Sequence, residues 1–134
     1  MSFVANIVDI ARENDDYRRV VHTGERSQLV VMAIPEGGEI GEERHDAVQQ
    51  SLFIMEGDAT AILDGKPSAL GPGDVLVVTP GTTHNVRNTG LGALRIVTVY
   101  APPNHIDGRV HRTKADADAD MEDEEFGQGA WRRA

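Results

Sequence analysis

The sequence contains no cysteine. Disulfide frameworks, thiolate zinc sites and cysteine nucleophiles are therefore excluded, and any metal site must be built from imidazole and oxygen. Aromatic residues are scarce, with one Trp, two Tyr and three Phe. A core must then rest on Val, Leu and Ile, as in a small barrel filled by branched side chains. Basic residues are outnumbered, 13 Lys and Arg against 22 Asp and Glu, for a formal net charge of −9. That balance speaks against a nucleic-acid partner, which a basic face would mark. No apolar run approaches the roughly 20 residues of a membrane span. Residues 1–14 show no basic start, unbroken apolar stretch or cleavage site, so no signal peptide is expected. The expectation is a soluble cytoplasmic protein without a membrane partner. Its 134 residues fit a single domain of about 100–150 residues, large enough to bury a core without a staple.

The charge is unevenly spread. Residues 115–134, ADADADMEDEEFGQGAWRRA, hold seven acids and two arginines, so −5 of the −9 belongs to this segment. An Ala-Asp alternation followed by an acidic run buries too little apolar surface to offset its ordering entropy. The segment reads as a disordered or loosely docked tail; the alternative is a docking segment anchored by Phe126 and Trp131. The body reads as strands. Tyr17–His22, Gln28–Ile34, Ser51–Met55, Ala59–Leu63, Val75–Thr79 and Leu94–Tyr100 are short apolar runs, several of them rich in Val, and His84 starts another. Gly- and Pro-containing turns separate them, among them Asp64-Gly65, a strong hairpin cue. Strands at intervals of about 8–12 residues indicate an all-β sandwich or barrel. Only Ile7–Asn14 suits a short helix.

Some polar residues do not belong to a plain sandwich. Glu43 and His45 are two apart, so in an extended strand they share a face. Gln50, after a short polar connection, would share the inward face of its strand with Leu52 and Ile54. His84 opens a strand after the turn Pro80-Gly81-Thr82-Thr83. Two histidines and a carboxylate from separate strands can converge inside a closed sheet in a two-His-one-carboxylate arrangement, leaving metal positions open for substrate. Gln50 would add a neutral oxygen ligand or a hydrogen bond that orients one. Glu42 and Glu43 also suit a solvated acidic patch. His105 and His111 follow the last core strand, where substrate contact, loop packing and a dimer contact all remain open. His22 reads as a turn residue and Tyr100 as core. Arg18 and Arg19 read as partners of surface acids, although an arginine at a barrel mouth suits an anionic substrate.

In two segments the chain resembles a cupin. The first cupin motif is Gly, five residues, His-x-His, three or four residues, Glu, six residues, Gly. Gly37, Glu43-Arg44-His45, Gln50 and Gly57 keep that spacing. The second motif is Gly, five residues, Pro-x-Gly-x-x-His, three residues, Asn. Gly73, Gly81, His84 and Asn88 follow it, with Thr79 at the proline position and Pro80 one place later. The finer likeness is to small single-domain cupins described as mannose-6-phosphate isomerase-like. Tyr17-Arg18-Arg19-Val20, Gly38-Glu39-Ile40-Gly41, Ala101-Pro102-Pro103-x-His105 and His111-Arg112-Thr113-Lys114 carry it. It spans nearly all of residues 6–115.

The resemblance implies a double-stranded β-helix, or jelly-roll barrel, over residues 1–114, with the acidic tail 115–134 outside it. It also implies a homodimer and one divalent metal (Mn, Fe, Ni or Zn) inside the barrel. Its ligand positions fall on Glu43, His45, Gln50 and His84. Glu43 stands where the family has its first His, and Gln50 where it has Glu, so the single carboxylate is kept but moved. Three functions follow as expectations. One is a metal-dependent enzyme, an isomerase, decarboxylase or dioxygenase, acting on a small polar molecule such as a sugar or keto acid. Another is a non-catalytic ligand-binding or sensor cupin. The third is a β-sandwich interaction module with incidental histidines.

Overall fold

The computed structural model describes residues 1–133. A short helix, α1 (Ile7–Glu13), precedes ten strands. These are β1 (Arg18–Thr23), β2 (Gln28–Ile34), β3 (Glu43–Arg44), β4 (Gln49–Glu56), β5 (Ala59–Leu63), β6 (Lys66–Leu70), β7 (Val75–Val78), β8 (Thr83–Asn88), β9 (Leu94–Ala101) and β10 (Val110–His111). Helices α2 (Lys114–Ala119) and α3 (Met121–Gln128) follow. Every ladder is antiparallel. A six-stranded sheet runs β10-β1-β2-β9-β4-β7 and a four-stranded sheet runs β3-β8-β5-β6. Together they make the double-stranded β-helix. No helix among the described residues is long and apolar enough to cross a membrane.

Val, Ile and Leu fill the space between the sheets. Val30, Ile34, Leu52, Ile54, Leu94 and Ile96 are at most 1% exposed, so truncating one such Leu or Ile to Ala is expected to cost about 2–5 kcal/mol. On β4 the parity is clean: Gln50, Leu52 and Ile54 are buried, while Ser51, Phe53 and Met55 face away. β2 departs from alternation because both its faces are covered. Val31 and Val97 pack beneath α1, with Ala11, Ile7, Ile10 and Met55.

The Asp64-Gly65 turn closes the β5–β6 hairpin with positive φ at both residues, +46° and +82°, the twist that suits a two-residue hairpin. β6 lacks strand composition (Lys-Pro-Ser-Ala-Leu) and lies exposed at a sheet edge, where proline's missing donor does least harm. At Gly57 (φ +93°) a Cβ would stand 3.0 Å from the Ala93 carbonyl oxygen, so this motif glycine is needed for both backbone angle and space.

The acidic segment departs from expectation. It forms α2 and α3, docked on the barrel. Thr113 caps α2 by accepting from the Asp116 amide, and Asp120 caps α3 by accepting from the Asp123 amide. The acids meet basic side chains that precede the segment. Asp120 takes Arg109 (2.8 Å) and His111 (2.9 Å), Asp123 takes His105 (2.7 Å), and Asp118 takes Lys114 (2.7 Å). Composition within 115–134 misses these partners because they lie between residues 105 and 114. The contacts are made by carboxylates and small residues rather than by the two rings. Ala130 is buried, while Trp131 is 63% exposed and the Arg133 guanidinium covers the Phe126 ring at 3.8 Å.

Candidate metal centre

Glu43 and His84 face each other across the β3–β8 ladder, and His45 follows β3 by one residue. The turn before β8 is tied to this segment, since the amide of Gly81, at φ +84°, donates to the His45 carbonyl (2.8 Å). Glu43 Oε2 lies 3.2 Å from His45 Nε2 and 3.7 Å from His84 Nε2, and the ligand atoms of all three fall within 4.8 Å of one another. Ligands bound at about 2.1 Å around one ion stand about 3.0–3.4 Å apart. The observed spacings therefore fit one small divalent cation with little adjustment.

Ring orientation supports the same use. His84 is buried, and its Nδ1 donates to the Thr82 carbonyl (3.1 Å). A carbonyl only accepts, so Nδ1 carries the proton and Nε2 is left to take a proton or a metal. That Nε2 is buried with no hydrogen-bond partner among the described residues. Gln50 lies on β4, in the other sheet, paired with Tyr100 of β9. Its Nε2 donates to Thr98 Oγ1 and Tyr100 Oη, each at 3.2 Å, leaving Oε1 buried without a donor. Tyr100 links the two sides, because its ring stands edge-on to His45 at 6.4 Å. An orphaned buried His84 Nε2 beside the Glu43–His45 pair forms a donor set suited to a cation.

The site is electrostatically polarised. Burial opposes ionisation of Glu43, but the His45 hydrogen bond and the His84 imidazole close by outweigh it and hold the carboxyl far below its usual range. Burial likewise works against a charged His84, yet Glu43 and the Thr82 carbonyl raise its pKa. A second cluster, His111, Asp120 and Asp123, has comparable spacing, but both its carboxylates are already engaged. Asp120 is held by Arg109 and His111, and Asp123 by His105 and the Ile106 amide (2.8 Å). That cluster is the latch for α3.

A cleft of about 750 Å³ opens onto the site. Glu43 and His45 form one wall, Tyr17 and Arg18 another, and α3 with Trp131 a third. His105 also lines it. Gln28 fixes the loop that carries His105: its Oε1 accepts from the Asn104 and His105 amides, and its Nε2 donates to the His105 carbonyl (2.7 Å). Asp123 accepts from His105 Nδ1, while His105 Nε2 is buried without a partner. Burial pushes the His105 pKa down against the pull of Asp123, so the ring is a neutral, aspartate-backed base.

A family model described as "Cupin domain" matches residues 30–100, more than half of the chain, over the strands that hold Glu43, His45, Gln50 and His84. The chain belongs to the cupin family. A Bacillus subtilis relative, described as uncharacterized protein YrkC, is 38% identical over 121 residues, covering 86% of this chain and 65% of that protein. The chain thus spans just under two thirds of that relative's length. Uncharacterized protein L612 of Acanthamoeba polyphaga mimivirus is 32% identical over 113 residues, 81% of this chain and 70% of its own. The crystal structure of BH2720 from Bacillus halodurans superposes with a TM-score of 0.87 at 36% identity, covering 89% of this chain and 95% of that one.

In this cupin, Glu43, His45 and His84 are brought together, and Gln50 is placed in the facing sheet with a free oxygen. His105 and His111 both pack against the acidic segment, and only His105 lines the cleft. Arg18, expected to pair with surface acids, is instead buried, at 7% exposure. The Asp123 partner of His105 and the α3 wall had no part in the sequence reading. The available signals were the cap residues Thr113 and Asp120, each followed three places later by an aspartate.

Proposed function

We propose that this cupin holds one divalent transition metal through Glu43, His45, Gln50 and His84, and that it binds and converts a small polar molecule there. The observation that carries this reading is the buried, partnerless His84 Nε2 beside a carboxylate and imidazole at ligand spacing, with Gln50 Oε1 buried without a donor in the other sheet. A bound metal would supply Lewis-acid polarisation of a carbonyl, enol or carboxylate oxygen. The chain's own residues do the rest. Glu43 places one negative charge in the ligand set, leaving it a net positive charge with the ion. Tyr100 and Thr98 fix the Gln50 amide. Asp123 holds His105 in the tautomer whose Nε2 accepts a proton at the cleft. A homodimer belongs to the same proposal. It is supported by Phe53, Val75 and Val77, 38%, 50% and 49% exposed on the outer face at the β7 sheet edge.

The test is the metal content of tag-free protein, by elemental analysis and by titration with Mn, Fe, Ni and Zn. Near one equivalent is expected. His45→Ala and His84→Ala should each abolish binding, while Gln50→Ala weakens it by about 10–100-fold, as loss of a supporting group does. No stoichiometric metal, or equal loss in all three variants, contradicts the assignment. Binding of sugars or keto acids without turnover by the Mn and Fe forms would identify a ligand-binding module instead of an enzyme.

A further inference from the structure

Arg18 is the first residue of β1 and is 7% exposed, yet it lines the cleft. Its guanidinium lies over the Tyr17 ring, 5.3 Å from the centroid. Among the described residues no carboxylate is within 4.0 Å of it, and its Nε is buried without a hydrogen-bond partner. Other partly buried arginines are treated differently. Arg95 is held by Asp15 and Glu56, and Arg109 by Asp120 and Glu122. A buried guanidinium without a direct ion-pair partner is costly to keep, and none of the cleft's acids contacts it. Asp46 is taken by Arg44, Asp118 by Lys114, Asp123 by His105, and Glu43 by His45. Arg18 is therefore a free cation beside the metal ligands, and its planar fork matches a carboxylate or phosphate.

The surrounding charge selects between the two. Five acids line the cleft (Glu43, Asp46, Asp118, Asp123 and Glu124) against two arginines, Arg18 and Arg44. That field opposes a dianion more than a monoanion. We propose that Arg18 anchors a small organic monocarboxylate in the cleft, with the rest of the molecule turned toward Glu43, His45, Gln50 and His84. This names the substrate class of the proposed reaction and rests on that reading for the chemistry, but not for the anion site.

The probe is pyruvate, with pyruvamide as its uncharged counterpart and inorganic phosphate as the competing anion, measured by calorimetric titration of the full chain. Formate, acetate and benzoate extend the size range. Each experiment is run on metal-loaded protein and again after chelation. At least one monocarboxylate should bind tenfold or more tightly than its uncharged counterpart and than phosphate. Arg18→Met should remove that preference, and Arg18→Lys should keep the charge but lose about tenfold for want of the fork. Metal content should be unchanged in both variants. Arg18→Met should also melt no lower than the parent, because an uncompensated buried charge is replaced by an apolar side chain. A parent that takes up no metal but still shows Arg18-dependent carboxylate binding overturns the metal centre alone. The carboxylate proposal is overturned if no monocarboxylate binds, if phosphate is preferred, if Arg18→Met binds pyruvate as the parent does, or if that variant is markedly destabilised.

Discussion

At the scale of single residues, the site turns on where one negative charge sits. Glu43 carries it on β3, and the facing position on β4 is the neutral Gln50, 1% exposed. Placing a carboxylate there as well puts two like charges around one ion: favourable with the cation present and unfavourable without it. Gln50→Glu should therefore tighten divalent-metal binding by at least tenfold. It should also destabilise the chelated protein by about 1–3 kcal/mol, because a second carboxylate is then buried without a cation to offset its charge. Paired melting curves with and without metal check this, and a chelated variant that melts higher than the parent would contradict it. The convergence of Glu43, His45 and His84 was legible in the sequence because motif spacing and strand parity depend on near neighbours. Arg18 was not. Its meaning lies in the absence of an acid across the cleft, which depends on how Asp46, Asp118 and Asp123 are already engaged.

At the scale of elements, the helices that close the cleft are held by charge rather than by apolar area. α3 buries Asp123 and leaves Met121 60% exposed. The groups facing His105 are Asp123, Arg18, Glu43 and the Tyr100 ring. Because burial lowers the His105 pKa below its ordinary value near 6.5, the docked state favours the neutral ring. That contribution is complete above about pH 6.5 and is lost as pH falls toward the lowered value. The Asp123 pKa is also lowered: burial works against ionisation, and the hydrogen bond from His105 prevails. Its contribution is present above about pH 4 and is lost below that. Hydrogen exchange across residues 121–128 should accordingly be slow at pH 7.5 and accelerate in two stages on acidification. Asp123→Ala should speed it already at pH 7.5, at a cost of about 1–3 kcal/mol for the stranded Ile106 amide and His105. Exchange independent of pH over 7.5 to 4, after correction for intrinsic rates, would contradict the latch. The six short apolar strands and α1 were readable from local pattern. β6 and the two acidic helices were not, because β6 borrows its partner from β5 and the helices borrow their counter-charges from residues 105–114.

At the scale of the whole molecule, the net charge of −9 says less than its arrangement. Four of the seven acids in residues 115–134 are engaged with Arg109, Lys114, His105 or His111, so the segment is a wall of the site rather than a solvated surplus. Away from that segment, exposed Phe53, Val75 and Val77 share the outer face beside an edge strand. Light scattering should return twice the 14.5 kDa chain mass, falling to the single value in Val77→Lys; a parent of single mass would contradict the dimer. The central claim is the convergence of Glu43, His45, Gln50 and His84 on one ion. Its most direct test is an anomalous difference map from crystals grown with Mn²⁺. The account predicts one dominant peak at about 2.0–2.2 Å from Glu43, His45 Nε2, Gln50 Oε1 and His84 Nε2. A map with no peak there, or with its only peak at His111, Asp120 and Asp123, would contradict it.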